Sequence, residues 1–379
     1  MIKKNHNLNN KKNDLYKKYI STNINKMFTI KELTKKRANF IINDIDVAFV
    51  NSLRRVVLSE VPNVAIAFDT THTPNSVSDI NFITNTSSYH NEYIGHRISI
   101  LPLCFDEAEI ENFNKEIYKF EIDVVCDDTP RTITSKDIVI QSEIEKLYDK
   151  DFRKKIFPPD PITKDYIIIS KLKPGEVLNV KFTASKNIAM THARWSPVSV
   201  CTYFNQLDKK VVTQNAKIAE DKNRFETIDK YRHFIINKYG EPSSFNFTIE
   251  SECRLTPHYI FKTAINVLSN KILGLEKKMK VEEISKEHNM FAIMVSNEDH
   301  TIGNLVQVYI YNNHVRTDDA KVDFIGYFQP HPLENNIVFK IKFFKDIDPA
   351  TFMTRAFRSI ADELATMDMK WTEILNKKK

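Results

Sequence analysis

The side chains that could do chemistry are scattered through the 379 residues rather than grouped. Asp299-His300 sets a carboxylate beside an imidazole, the raw material of an acid–base dyad. Asp299, however, stands where a helix cap belongs, and no Ser or Cys nucleophile has a matching context. His90, Glu92 and His96 are metal-ligand types, but a six-residue spacing of the two histidines suits neither a helix turn nor a tight turn. Cys104, Cys126, Cys201 and Cys253 form no CxxC pair, and separations of 22, 75 and 52 fit no zinc finger. They read as reduced, mostly buried thiols of an intracellular protein. Only six glycines occur, none closer than 23 positions to the next. That excludes every glycine-rich phosphate cradle. No catalytic residue, no metal and no cofactor is expected.

What remains is recognition. Arg54-Arg55 sits on a short helix, either as a solvated face or as a dock for an acidic partner. Trp195 before Ser196-Pro197 reads as a core anchor, and His331 between Pro330 and Pro332 as a rigid turn. The net charge of +6 is misplaced for a nucleic-acid reader. Residues 1–36 carry ten lysines and two acids, +8, and Lys377, Lys378 and Lys379 add +3, so the remainder is 6 − 8 − 3 = −5. Positive charge thus lies in the tails and not on a folded face. The longest uncharged run, His300 to Val315, has 16 residues and is rich in Asn and Gln, so no membrane span is expected. Residues 1–26 lack an apolar core and do not read as a secretory signal.

The elements that position these residues follow from periodicity. Residues 39–43 read as a strand, and a helix follows from about Asp46 to Val61. Val50, Leu53, Val57 and Val61 make its apolar face, with Asp44 or Asp46 as cap and Pro62 as stop. Short strands with polar turns fill Val64 to about Tyr203. Ser244–Ile249 is a strand. Thr256 caps and Pro257 opens a helix whose Phe261, Ile265, Leu268, Ile272 and Leu275 form a heptad seam. Phe291–Val295 is a strand, His300–Asn312 a helix with Ile302, Leu305, Val306 and Tyr309, and Val322–Phe328 and Ile337–Phe344 are strands. Asp348-Pro349 opens the last helix, with a seam of Met353, Phe357, Ile360, Leu364, Met367, Trp371 and Ile374. Two such seams suggest helices packed in a bundle. Strand, short helix, strands and long seam helix occur twice in that order, an internal duplication that predicts a pseudo-twofold pair inside one chain.

The residues also carry a family resemblance. Asn51-Ser-Leu-Arg-Arg-Val-Val-Leu-Ser-Glu-Val-Pro-Asn-Val-Ala-Ile66 resembles the α-type motif of multisubunit RNA polymerases. Asn91-Glu-Tyr-Ile-Gly-His-Arg-Ile-Ser-Ile-Leu-Pro-Leu103 and His192-Ala-Arg-Trp-Ser-Pro-Val198 extend the likeness to the third-largest eukaryotic subunit and archaeal D. Glu298-Asp-His-Thr-Ile-Gly-Asn-Leu305 and Phe324-Ile-Gly-Tyr-Phe-Gln-Pro-His-Pro-Leu-Glu334 resemble the eleventh subunit and archaeal L. In the family these are separate chains that pair. Here they look fused, as in the polymerase of large nucleocytoplasmic DNA viruses, and a Lys-, Asn- and Ile-rich, A/T-biased composition suits that origin.

The resemblance implies an α+β protein of two α-type dimerisation units. They would form an intramolecular pseudo-dimer with a helical-bundle interface, with a mainly β domain inserted in the first unit. The boundaries expected are a flexible basic tail 1–27, a split third-subunit-like domain 28–63 and 243–279, and an inserted domain 64–205. A polar excursion 206–242, a linker 280–289 and an eleventh-subunit-like domain 290–379 complete the chain. It implies a non-catalytic assembly platform that docks the largest and second-largest polymerase subunits, with a small zinc-binding subunit nearby and DNA reached only through the complex. Asn51, Arg54, Arg55 and Glu60 would face a partner. Val50, Leu53, Val57, Phe261, Ile265, Leu268, Ile272, Leu305, Tyr309, Phe357, Ile360, Leu364, Met367 and Trp371 would line the pseudo-dimer interface. His96, Arg97, Trp195, Pro197, Asp299, His300, Gly303, Asn304, Gly326, Pro330, His331 and Pro332 would be structural motif positions. No membrane contact and no homo-oligomer are expected. The location would be intracellular, in host cytoplasm and virion if the chain is viral. Relatives often carry a four-cysteine zinc loop or iron–sulfur site in the insert. Only Cys104 and Cys126 lie near that place, so no metal is expected, and Cys253 stands where relatives often have Gly. The competing reading is a stand-alone nucleic-acid-binding protein acting through the basic N-terminal tail.

Overall fold

The computed structural model describes residues 27–69, 78–141, 150–251 and 254–376. All but Met27 of the basic tail, the closing lysines and Cys253 lie outside the described residues. In chain order, β1 (Phe28–Leu33) and β2 (Arg37–Asn43) lead into α1 (Val47–Ser59). Next come β3 (Asn63–Ala65), β4 (Ile80–Asn85), α2 (Asn91–Ser99), α3 (Glu107–Glu111), β5 (Lys119–Val125) and β6 (Arg131–Thr134). β7 (Val139–Gln141), α4 (Lys150–Ile156), β8 (Ile168–Leu172), β9 (Val177–Thr183), β10 (Ser185–Asn187) and β11 (Val198–Asn205) follow. Then α5 (Lys209–Ile218) and α6 (Lys222–Thr227) precede β12 (Ser244–Ser251) and α7 (Pro257–Gly274). The chain continues with β13 (Met279–Ser285), β14 (Met290–Ser296), α8 (His300–Ile310), β15 (Val322–Phe328), β16 (Asn336–Phe343) and α9 (Pro349–Asn376). Among the described residues no helix is long and apolar enough to cross a membrane.

The chain divides into two compact units. The first takes the described residues up to Val57, then Val200–Ile249 and everything from Ile260 onward. It contains two four-stranded sheets, ordered β1-β2-β12-β11 and β13-β14-β16-β15. Numbered from its own first strand, each sheet runs 1-2-4-3. In each half one helix follows the second strand (α1, α8) and a longer one follows the fourth (α7, α9). Period-two alternation sends Ala38, Phe40 and Ile42 of β2, and Ile337, Phe339, Ile341 and Phe343 of β16, into the cores. The helices start where side chains cap free N–H groups. Ala48 N–H donates to Asp46 Oδ1 at 2.7 Å and Thr351 N–H to Asp348 Oδ2 at 2.8 Å.

The stretch 280–289, read above as a linker, departs from expectation. Most of it is β13, which pairs antiparallel with β14 in a hairpin turned at Lys286–Asn289. Its charged sequence reflects an edge position, since every residue from Lys280 to Ile284 is exposed. β13 is to the second sheet what β1 is to the first. The joint between the halves is therefore only the tight turn at Leu275–Lys278. The polar excursion 206–242 is partly ordered as α5 and α6, closed by bridges Leu207–Phe234 and Ile236–Pro242.

The second unit spans Leu58–Ser199 and Glu250–Tyr259. Its main sheet runs β4-β9-β5-β7, with two-stranded pairs β6-β8 and β3-β10. Phe120 and Phe182 stack at 5.3 Å across β5 and β9, with Phe157 edge-on to Phe120 at 5.6 Å. Asp106 closes a capping box on α3 and, with Glu109, grips Lys155. Burial favours the neutral Lys155 amine, yet the bonds to Asp106 and Glu109 prevail and raise its pKa.

Candidate assembly interface

The first unit brings α1 and α8 together head to tail. Each starts with an aspartate cap, and each cap also reaches the other helix. Asp299 Oδ1 accepts the Thr301 N–H at 2.8 Å, while its Oδ2 accepts from Arg55 Nη2 of α1 at 3.0 Å. Asp46 Oδ1 caps α1, while its Oδ2 accepts from Asn312 Nδ2, just past the end of α8, at 3.1 Å. Ser52 Oγ donates to the Thr301 carbonyl at 3.2 Å and Arg55 Nε to Thr301 Oγ1 at 2.7 Å. The reciprocity requires antiparallel helices with their starts beside each other's ends. Burial pushes the Asp299 carboxyl upward, but the Thr301 bonds, Arg55 and Lys271 outweigh it and hold it below the ordinary carboxylate value.

A second junction lies at the joint. Glu298 has a wholly buried side chain, 2.8 Å from Lys278 Nζ and 3.3 Å from Lys271 Nζ. Two lysines around one enclosed carboxylate supply the countercharge that burial demands. A third junction is aromatic. Trp371 of α9 is fully buried against Phe28 at 5.2 Å and against Phe40 and Phe261, each at 4.7 Å. The second half thus inserts its largest side chain into the first half's core. Arg316 makes a fourth, lying 4.7 Å over both Tyr239 and Tyr311 and bonding Glu241 at 2.8 Å. This ties the 206–242 excursion to the turn after α8.

The residues singled out by sequence fall as follows. Val50, Leu53, Val57, Phe261, Ile265, Leu268, Ile272, Leu305, Phe357, Ile360, Leu364, Met367 and Trp371 are buried in the first unit. Tyr309 is half-buried, and its hydroxyl bonds Ser359 of α9. Asn51 and Arg54 hold each other, with Arg54 Nε and Nη2 donating to Asn51 Oδ1 at 3.0 and 2.9 Å. Arg55 is spent on Asp299 and Thr301. Glu60 belongs to the second unit and is buried. The four docking residues therefore do not form one free face.

Asp299 and His300 do not make a dyad, because both Asp299 oxygens are engaged elsewhere and His300 Nδ1 lies 3.3 Å from the Tyr327 hydroxyl. Gly303 lies against the Tyr327 ring, where a Cβ would overlap it, and Asn304 is half-buried. Gly326 faces the Phe324 ring. Pro330, His331 and Pro332 form an exposed turn in which His331 Nδ1 accepts the Leu333 N–H at 3.2 Å. In the second unit His96 is edge-on to Phe68 at 5.3 Å, and Arg97 donates to the Ile168 carbonyl. Trp195 Nε1 donates to the Ser185 carbonyl at 3.0 Å, and Pro197 is buried. Among the described residues no three His, Cys, Asp or Glu side chains group as a metal requires. The Glu298 and Arg316 junctions escaped sequence reasoning, since a single charge among other charges has no periodicity to reveal it.

Each half matches a family profile of its own, and both profiles describe the RNA polymerase Rpb3/Rpb11 dimerisation domain. The matches cover residues 39–272 and 291–370, the first alone spanning more than half the chain. The chain belongs to the RNA polymerase Rpb3/Rpb11 dimerisation-domain family. Relatives include the DNA-directed RNA polymerases IV and V subunit 3B of Arabidopsis thaliana, 26% identical over 64% of this chain and 88% of that one. The DNA-directed RNA polymerase II subunit rpb3 of Dictyostelium discoideum is 24% identical over 66% of this chain and 93% of its own length. The DNA-directed RNA polymerase subunit Rpo3 of Methanobrevibacter smithii is 29% identical over 46% and 56%. Rpb3-type relatives are non-catalytic subunits of the polymerase complex.

Proposed function

We propose that this chain is a non-catalytic assembly platform of a DNA-dependent RNA polymerase, with two α-like repeats paired inside one polypeptide. The observation that carries the reading is the shared 1-2-4-3 strand order joined by the reciprocal α1–α8 contact. In this reading the pair is a pseudo-dimer, fused at Leu275–Lys278, and the second unit is the insert of the first repeat. The largest and second-largest subunits dock on the pair, with a small zinc-binding subunit beside it and DNA reached only through the complex. Asn51 and Arg54 remain as the docking pair on α1, while Arg55 serves the internal contact. The fused arrangement and A/T-biased composition support a large nucleocytoplasmic DNA virus as source, with transcription in host cytoplasm and packaging in the virion.

A pull-down of the tagged chain from its native setting tests this. Equal recovery of two very large polymerase subunits is expected. Recovery of the chain alone, or of nucleic acid lost on removing residues 1–26 and on raising salt, would favour the tail-binding alternative.

A further inference from the structure

The two sheets share a topology but differ on their outer faces. In the first sheet the outward side chains of β12 are polar and bond to side chains of β1 and β2. Ser244 Oγ donates to Asn43 Oδ1 at 2.8 Å, Asn39 Nδ2 to Thr248 Oγ1 at 3.0 Å, and Lys31 Nζ to Asn246 Oδ1 at 2.5 Å. Ser244, Asn246 and Thr248 are themselves buried, so that face is already enclosed along β12. The second sheet carries apolar side chains at the corresponding places. Cross-strand register aligns Phe328, Val338 and Met294 in one row, and Phe324, Lys342 and Met290 in another. Between them run Gly326, Lys340 and Ala292. The Phe324 ring leans over Gly326, and Val338 is nearly enclosed by its neighbours, so the face is a continuous apolar surface with Lys340 at its centre. Phe324 is 50% exposed and Phe328 42%.

Charge narrows the occupant. Lys342 is neutralised by Asp323 at 2.6 Å. Lys340 stands in the middle row of this face with its ammonium 5.1 Å over the Phe328 ring and, among the described residues, no carboxylate partner. An apolar bed with one central unpaired cation is complementary to an apolar stripe carrying a carboxylate. Strand addition at the β15 edge is obstructed, because the Tyr327 N–H is taken by Gln307 Oε1 at 3.3 Å. A helix layer is the usual cover for an open sheet face. Nucleic acid is disfavoured, since Lys280, Lys340 and Lys342 are nearly balanced by Glu282 and Asp323. The basic segment 1–26 is likewise repelled by Lys340.

We propose that the outer face of the β13–β14–β16–β15 sheet docks an amphipathic helix of one large polymerase subunit. Its apolar stripe lies along Phe328, Val338 and Met294, and its carboxylate meets Lys340. The proposal rests on the platform reading above.

The test uses the full tagged chain co-expressed with both large subunits, comparing wild type with Phe328→Ser and Lys340→Glu. Both residues are exposed, and unchanged thermal midpoints would show that the fold is kept. Each variant should retain one large subunit about tenfold less well and the other unchanged, the size of a lost interface anchor. Wild-type recovery with equally effective variants overturns this face alone. Failure of wild type to recover either large subunit overturns the platform reading and this face with it. A photoreactive benzoylphenylalanine at Phe324 in the assembled enzyme provides a second readout. Cross-linking to a helix of a large subunit is expected. Cross-links to residues 1–26, to a second copy or to nothing would overturn the proposal.

Discussion

Asp299 combines two roles that are separable by pH. It caps α8 and holds Arg55, and its carboxyl lies below the ordinary value because those bonds outweigh burial. A depressed carboxylate contributes stability that is fully present above the unfolded value of about 3.9 and is lost as pH falls through the lower folded value. Asp299→Asn should therefore be less stable than wild type at neutral pH, with the gap closing in acid. Parallel urea titrations across that range would show a constant gap if the carboxylate did not matter. The Arg55 pair is half-exposed at both ends, so its own coupling in a double-mutant cycle with Arg55→Ala should be only about 0.2–1 kcal/mol. Cys201 is different in kind. Burial pushes its thiol up to about 12, although Arg54 pulls the other way. At pH 8 it stays a protonated, enclosed thiol. Iodoacetamide should leave Cys201 unmodified in the native chain and modify it in urea. Equal labelling in both, read by mass spectrometry, would contradict that enclosure.

At the scale of elements, α8 is held against β15 by a missing side chain. A Cβ on Gly303 would overlap the Tyr327 ring. Gly303→Ala should cost about 1–3 kcal/mol by overpacking, and adding Tyr327→Ala should recover part of it. Additive losses in that pair would mean the two positions do not touch. Trp371→Ala should be costlier, about 3–5 kcal/mol, because a fully buried ring leaves a cavity among Phe28, Phe40 and Phe261. The long helices were readable because their seams and caps are local signals: Thr256-Pro257 and Asp348-Pro349 open α7 and α9 where the pattern places them. β13 was not, since an edge strand exposes charges and loses the alternation that marks a buried face. Helix α2 was also missed, being nine residues long with a His90 N-cap that makes no side-chain bond. The α1–α8 contact was half legible. Its apolar stripes could be counted, but the partners of Arg55 lie 244 and 246 positions away and only folding brings them together.

For the molecule as a whole, the short joint at Leu275–Lys278 limits how the two repeats can meet. A loose tether would leave each half free to pair with a neighbour's. Here α7 runs through Leu275–Lys278 directly into β13, and Glu298 closes over that turn with Lys271 and Lys278. A connection this short keeps the partner at an effective concentration of roughly millimolar or above. It also limits which face each half presents. Pairing inside one chain should then be independent of protein concentration. Thermal unfolding midpoints should coincide over about a hundredfold range of concentration, and light scattering should return the mass of one chain. A midpoint rising with concentration, or a stable species of twice that mass, would mean that the halves pair between chains. Extending the Leu275–Lys278 turn with a flexible insert is the complementary perturbation. It should lower the unfolding midpoint and allow a concentration-dependent dimer that wild type lacks, because it weakens the enforced proximity while leaving the α1–α8 and Trp371 contacts unaltered in sequence.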